Sequence, residues 1–383
     1  MTDERRCNSG VRTTIEGLKR SAPSRVRSVE FIETHFAWVF LLGSLAYKMK
    51  KPLRRGSMDY RTVARRERAC RDEVRLNRRL ARSVYLGVVP LVRQGDGSLG
   101  LGRGKSVADW MVRMRRLPAE RMLDRAIGRN ALTDRDAKIL ADLLSHFFRY
   151  ARRRAMSPRA YVARLRRRTR DHGRELRARD LRLSRRRVDE VIRAQLEFIT
   201  KGGALLGERG SHLIDGHGDL RAEHVYLGSR DDPPAVIDCL EFSSDLRRLD
   251  PAEEMAFLAL ECIELGAGGF ARELLRRLRL ETSDPVSDAL VHFYMSQRAT
   301  VQAMIAIWHL RDGHLAREPR RWRARATTYL TDALRYIRLA LRELQQELFS
   351  PPRQLANASG GGSLACRRAS AVGLDRTAAQ SKE

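Results

Sequence analysis

Two short stretches carry the residue types that could move a phosphoryl group. HGDLRAEH, His217 to His224, holds a carboxylate between a histidine and an arginine, and VIDC, Val236 to Cys239, sets a second carboxylate behind two apolar residues. Only a hairpin-length segment, RAEHVYLGSRDDPPAVI, separates the two, and so short a connection can fold back to bring Asp219 and Asp238 to one side of a cleft. Transfer to an alcohol asks a protein for a carboxylate near the attacking hydroxyl, oxygen ligands for Mg²⁺ on the phosphates, and a cation that fixes the donor nucleotide. In that chemistry Asp219 orients the acceptor hydroxyl and takes its proton late. A free aspartate, with a pKa of about 3.9, is a weak base, so its positioning matters more than its basicity. Asp238 would hold the magnesium. The same letters have an ordinary reading: His217, Gly218 and Asp219 as a polar turn, and Asp238 as a strand-end carboxylate.

Larger elements must position these loops. A chain of 383 residues can bury a substantial core and is expected to fold as two lobes. From Val26 to Leu117 the runs SVEFIE, AWVFLLG, LAYKMKK, YLGVVPLVRQ, LGLGRG and WMVRMRRL read as strands, with one helical stretch between Tyr60 and Arg82. From Pro118 to Ser350 the spacing turns helical. Thr133 with Asp136 resembles a capping box ahead of a stripe of Ile139, Leu140, Leu143, Leu144, Phe147 and Phe148. Further helices are expected near Arg159–Arg177, Arg185–Ile199, Pro251–Leu265, Ser287–Leu310 and Arg320–Leu348. One β-like interruption, HLIDGHGDL through EHVYLG to AVIDCLEF, holds the densest acidic and histidine chemistry. The expected class is therefore α+β, with disordered segments over residues 1–25 and 351–383, where polar or Pro, Gly and Ser-rich composition prevails.

Composition narrows the setting. Lys plus Arg total 75 against 47 acidic residues, a net charge of +28 that would attract phosphate-bearing partners. Arginine with alanine at the expense of lysine is also what a GC-rich genome imposes on any enzyme. The longest apolar run, FAWVFLLGSLAY from Phe36 to Tyr47, falls short of the roughly 20 residues of a membrane span. The N-terminus lacks the apolar core of a secretory signal. Cys7, Cys70, Cys239, Cys262 and Cys366 have no CxxC spacing and read as reduced thiols of a cytoplasmic protein.

HGDLRAEH followed by VIDCLEF resembles the catalytic loop and metal aspartate of the aminoglycoside phosphotransferase family, which has the protein-kinase-like fold. VEFIETHFAWVFLLGSLAYKMKKP, CRDEVRLNRRLARSVYLGVVPLV and VRMRRLP are similar to a bacterial subgroup of that family, found alone or fused to a P-loop gluconate-kinase-like domain. The likeness covers residues 26 to 345. It implies a small β-rich, nucleotide-binding lobe over 26–117 and a mostly helical lobe with the acceptor site over 118–350. It implies ATP and Mg²⁺ as cofactors, and a small hydroxyl-bearing acceptor. Lys48 would be the nucleotide lysine, although Lys50 lies on the same strand face, and Glu73 its partner on the lone helix. His35, with Glu33 and Thr34, would sit in the phosphate-covering turn, Met114 at the hinge beside adenine, and Arg221 near the transferred phosphate. Asp250 would cap a helix and brace the catalytic loop, which His217 supports, and Arg298 would face the acceptor.

Two positions depart from the family pattern. His224 stands where asparagine usually ligates a second magnesium, and imidazole is a poor ligand for a hard ion. Glu223 or Glu241 could supply the missing oxygen, or one ion alone is held firmly. In RATVQAM, Gln302 and Met304 replace cations of the subgroup's late helix. Two alternatives follow: a pseudokinase that binds nucleotide or a partner without transfer, and an RNA-binding surface on the arginine-rich helices between Arg149 and Arg187. The second is disfavoured because aromatic platforms are sparse there.

Overall fold

In the computed structural model, which describes residues 2–21, 28–56, 58–178, 182–309 and 318–349, the first element is a helix, α1 (Thr2–Ser21). This corrects the expectation of disorder for residues 2–21, while residues 1 and 22–25 of that segment lie outside the described residues. Val11, Ile15 and Leu18 recur at intervals of four and three and join a cluster with Trp38, Phe40, Met49 and Leu99. Gly17 permits the approach, because a Cβ there would stand 2.5 Å from the Leu99 carbonyl oxygen. Full burial of a leucine such as Leu18 is worth about 1.5–3 kcal/mol. The 351–383 segment lies outside the described residues.

The β-rich half forms one antiparallel sheet. Its strands are β1 (Glu30–Glu33), β2 (Ala37–Leu42) and β3 (Leu45–Lys50), then, after the short pair β4 (Arg54–Arg55) and β5 (Met58–Asp59) and helix α2 (Val63–Asn77), β6 (Tyr85–Arg93), β7 (Leu99–Leu101) and β8 (Ser106–Arg115). The sheet order is β1-β2-β3-β8-β6-β7. Period-two alternation divides β3 between two faces. Met49 points to the α1 cluster, and Lys48 and Lys50 to α2.

The second half is helical: α3 (Leu123–Gly128), α4 (Asp134–Tyr150), α5 (Pro158–Leu176), α6 (Arg185–Lys201) and α7 (Gly203–Glu208), then α8 (Pro251–Glu264), α9 (Gly268–Thr282), α10 (Asp288–Trp308) and α11 (Pro319–Phe349). Thr133 and Asp136 form the reciprocal capping box that begins α4. Between α7 and α8 run four two-residue strands: β9 (Ile214–Asp215), β10 (Val225–Tyr226), β11 (Ala235–Val236) and β12 (Arg248–Leu249). β10 pairs with β11 and β9 with β12, so the segment is an irregular double hairpin set against helices. Tyr226 and Ala235 of the first hairpin pack with Val74, Val112 and Met114, joining the sheet lobe to the helical lobe. The chain is thus an α+β protein of two lobes. No helix among the described residues is long and apolar enough to cross a membrane.

Candidate active site

The two carboxylates converge on one imidazole. His224 Nδ1 lies 3.7 Å from Asp219 Oδ2, and its Nε2 lies 3.9 Å from Asp238 Oδ2. Each is delivered by backbone the sequence hints at only in part. Gly218 has φ +90°, a conformation glycine adopts freely, and its N–H and that of His217 donate to Glu254 of α8 at 2.6 and 2.9 Å. Asp238 itself has φ +64°, in the left-handed region that costs a non-glycine residue of order 1 kcal/mol. Its N–H donates to Tyr85 Oη at 3.1 Å and that of Cys239 to Asn77 Oδ1 at 2.9 Å, so the end of α2 and the start of β6 hold the bend.

Lys48 Nζ stands 2.5 Å from Asp238 Oδ1 and 3.0 Å from Glu73 Oε1. Lys50 Nζ lies 2.5 Å from the other Glu73 oxygen and 2.5 Å from Glu241 Oε1, which also accepts from Tyr60 Oη at 2.6 Å. Both lysines thus reach Glu73, and they differ in the second carboxylate. Burial disfavours charge on Lys48, but Asp238 and Glu73 outweigh it and raise its pKa above the ordinary lysine value. Burial would likewise raise the Asp238 carboxyl, yet Lys48, and His224 after it, hold it well below the usual carboxylate range. Asp219 goes the other way. Although 27% of its side-chain surface is open, desolvation raises its pKa against the pull of His224 and Arg221. Two neighbouring carboxylates with oppositely shifted pKa values are suited to different tasks.

His217 is fixed by two hydrogen bonds: its Nδ1 accepts from the Asp219 N–H at 3.3 Å, which leaves Nε2 to donate to the Ile237 carbonyl at 3.0 Å. It thereby ties the two loops together. Desolvation, with His224 beside it, lowers its pKa to about 3, and desolvation and Arg168 do the same for His172. Both folded-state values lie below the unfolded value of about 6.5, so between pH 6.5 and 3 the unfolded chain binds more protons and stability falls with falling pH. Denaturant titrations across that window should give a slope approaching about 2.7 kcal/mol per pH unit from these two groups. A flat profile above pH 5 would contradict their buried neutral state.

The remaining expected residues scatter in function. Arg221 contacts Glu223 at 2.5 Å and Glu261 at 3.6 Å. Asp250 does cap α8, but its carboxylate is taken by Arg209 and Tyr294, and the grip on the 217–224 loop comes from Glu254 instead. Met114 is in register with Ala46 and Tyr85 and buried between them. His35, in the β1–β2 turn, has its ring centroid 4.2 Å from that of His309 at the end of α10. Gln302 donates to Glu261 at 3.2 Å. Sequence reasoning missed Glu254, Asn77, Tyr85, Tyr60 and Arg79, which donates to the Asp215 and Gly216 carbonyls. None carries a local pattern, since each acts on backbone or a side chain far along the chain.

A sheet lobe whose helix α2 pairs a glutamate with a β3 lysine, set over a helical lobe with an HGD loop and a bent aspartate, is a protein-kinase-like arrangement. No family model matches the chain. Over 289 residues it is 31% identical to uncharacterized proteins of Mycobacterium bovis and Mycobacterium tuberculosis, covering 72% of this chain and 54% of each relative. The match therefore spans about half the length of the relatives. Among solved structures it is similar to a choline kinase from Cryptosporidium parvum (11% identity, TM-score 0.49, 89% of this chain and 100% of that one). It is also similar to a Plasmodium vivax ethanolamine kinase (9%, 0.49, 82% and 83%) and a thermostable mutant aminoglycoside phosphotransferase (10%, 0.45, 80% and 94%).

Proposed function

We propose that the protein is an ATP-dependent phosphotransferase that moves the γ-phosphate to a hydroxyl of a small molecule. The observation that carries this reading is the meeting of Asp219 and Asp238 on His224, with Lys48, held by Glu73, reaching Asp238 from the sheet lobe. Asp219 orients the acceptor and takes its proton, and its raised pKa makes it a better base than a free aspartate. Arg221 lies beside the transferring group. Lys48, set by Glu73, holds the nucleotide phosphates, Met114 borders adenine, and His35 lies in the covering turn. Residues 26–117 would bind the nucleotide and 118–350 the acceptor. The quoted motifs further support the subgroup found alone or fused to a gluconate-kinase-like domain, and the scattered cysteines support a cytoplasmic setting.

The residues fit a magnesium-bound nucleotide with one reservation. Magnesium would neutralise the charge on the phosphates. Asp238, with 42% of its side chain open, and His224 are the groups that would hold it. His224 Nδ1 donates to the Asp219 carbonyl at 2.9 Å, so Nε2, 3.9 Å from Asp238 Oδ2, is the ring nitrogen that would ligate an ion bound there. Glu241 is engaged by Lys50 and Tyr60. Among the described residues no group of three or more His, Cys, Asp or Glu is gathered for a metal, so phosphate and water would complete the shell. Nitrogen at this position favours a softer ion. Replacing His224 with Asn should lower Mn²⁺ affinity relative to Mg²⁺ by about tenfold, read by Mn²⁺ binding in the presence of ADP. An unchanged ratio would remove His224 from the ligand set.

His224 also motivates the second reading, a protein that binds nucleotide without transferring from it. Incubating the protein with ATP and a metabolite extract, then searching for mass gains of one phosphoryl group, separates the two. Products support transfer, whereas ATP binding with no product from any acceptor supports the pseudokinase.

A further inference from the structure

Beside the 217–224 loop, two arginines carry buried N–H groups that find no hydrogen-bond acceptor among the described residues. Arg168 of α5 and Arg298 of α10 both lie against Glu253 Oε1, at 3.0 Å through Arg168 Nη1 and at 3.2 Å, without hydrogen-bond alignment, through Arg298 Nε. Their guanidiniums are therefore neighbours. On each of them the Nε and Nη2 atoms are buried and find no hydrogen-bond acceptor among the described residues, and one turn along α5 from Arg168 the same holds for the Nδ1 of His172. Arg298 and His172 are more than nine-tenths buried, whereas Arg168 keeps 21% of its side chain open as a way in.

The identity of the orphaned atoms is informative. Nε and Nη2 form the side edge of a guanidinium, whose two parallel N–H groups match two oxygens of a carboxylate or phosphate. Elsewhere this chain uses the same edge for that purpose: Arg209 donates through Nε and Nη2 to both Asp250 oxygens at 2.7 Å in the core, and Arg61 binds Asp59 likewise. Leaving buried N–H groups of a charged side chain unmade is costly, so two such edges side by side, one with its Nε already within ion-pair reach of Glu253, suit a ligand that meets the remaining N–H groups. The position places that ligand at the reacting centre. Arg298 stacks over Phe257 at 4.9 Å and its Nη1 donates to the Gly218 carbonyl at 3.4 Å, one residue before Asp219.

We infer that the acceptor carries a compact oxyanion, a carboxylate or a phosphate, held by the open edges of Arg168 and Arg298 while its hydroxyl reaches Asp219. This rests on the phosphotransferase reading for the hydroxyl, but not for the anion. Arg168 and Arg298 are binding residues, and His172 lines the same site.

Two measurements test it. With the nucleotide site filled by Mg-ADP, sulfate and chloride at matched ionic strength are compared by thermal melting of the full chain. Sulfate should stabilise the wild type more than chloride, Arg168→Gln should lose that difference, and Arg168→Lys should regain part of it. Arg168→Gln is the safer variant because the side chain is partly open, and a matched melting baseline shows that it folds. Equal sulfate responses in wild type and Arg168→Gln would overturn the inference. In the second, glycerol, glycerate, glycerol 3-phosphate and ethanolamine are compared as acceptors. Glycerate or glycerol 3-phosphate should exceed glycerol in kcat/KM by about 30-fold or more, with the preference lost in Arg168→Gln and KM for ATP unmoved. Which of the two wins tells carboxylate from phosphate. Preference for glycerol or ethanolamine would overturn the inference while leaving the phosphotransferase standing. If no acceptor reacts but sulfate binding depends on Arg168, the oxyanion site stands and the reaction assigned to it fails.

Discussion

Replacing Asp219 with Asn should lower phosphoryl transfer by about 10²–10⁴-fold while leaving nucleotide affinity unchanged. The substitution keeps the size of the side chain and removes only its ability to take a proton. The nucleotide contacts proposed for Lys48 and Asp238 stay in place, because Asp238 is held by Tyr85 and Lys48 rather than by the 219 side chain. The pH profile gives a second handle. Desolvation raises the Asp219 pKa, and a base works only when ionised, so the wild-type rate should fall on the acid side as this carboxylate protonates. That limb should be missing from the residual activity of the variant. Isothermal titration with ADP and a coupled assay for product together decide the matter, and wild-type turnover by Asp219→Asn would end the assignment.

Lys48 and Lys50 are expected to separate into a functional and a structural cation. Lys48 touches Asp238, the aspartate nearest the proposed phosphates, whereas Lys50 is buried between Glu73 and Glu241 with Tyr60 on the far side of the same carboxylate. Lys48→Met should lose about 10²-fold or more in transfer, with a modest change in stability, since Glu73 retains Lys50. Lys50→Met leaves Glu241 in the core without a cation. Removing one partner from a buried pair costs about 3–5 kcal/mol, so this variant should unfold at markedly lower denaturant. Chemical denaturation beside steady-state kinetics on both variants reads the difference. If Lys50→Met were stable but inactive, and Lys48→Met active, the two roles would be exchanged.

Much of this site was legible because its signals are local. Asp219 and Asp238 announce themselves through a motif and a short connection, and Thr133 with Asp136 through a capping pattern three residues long. The alternation in LAYKMK placed both lysines on one face without any knowledge of what they meet. Helix α1 was not legible: its apolar stripe is three residues long, and the surface it covers, around Leu99, lies about eighty residues away. Glu254 was hidden for a related reason. It sits in a helix expected from its apolar spacing, and nothing near it in sequence says that its oxygens receive the N–H groups of His217 and Gly218.

Residue order indicates most of the strands and helices, though not α1, and the side chains that are candidates for acid–base and phosphate chemistry, because period, caps and turn residues act over a few positions. It could not decide between Lys48 and Lys50, set the His224 ring between the two carboxylates, or leave the edges of Arg168 and Arg298 open. Those properties depend on which buried atoms find partners, and a hydrogen bond across a hundred residues exists only after the lobes have packed.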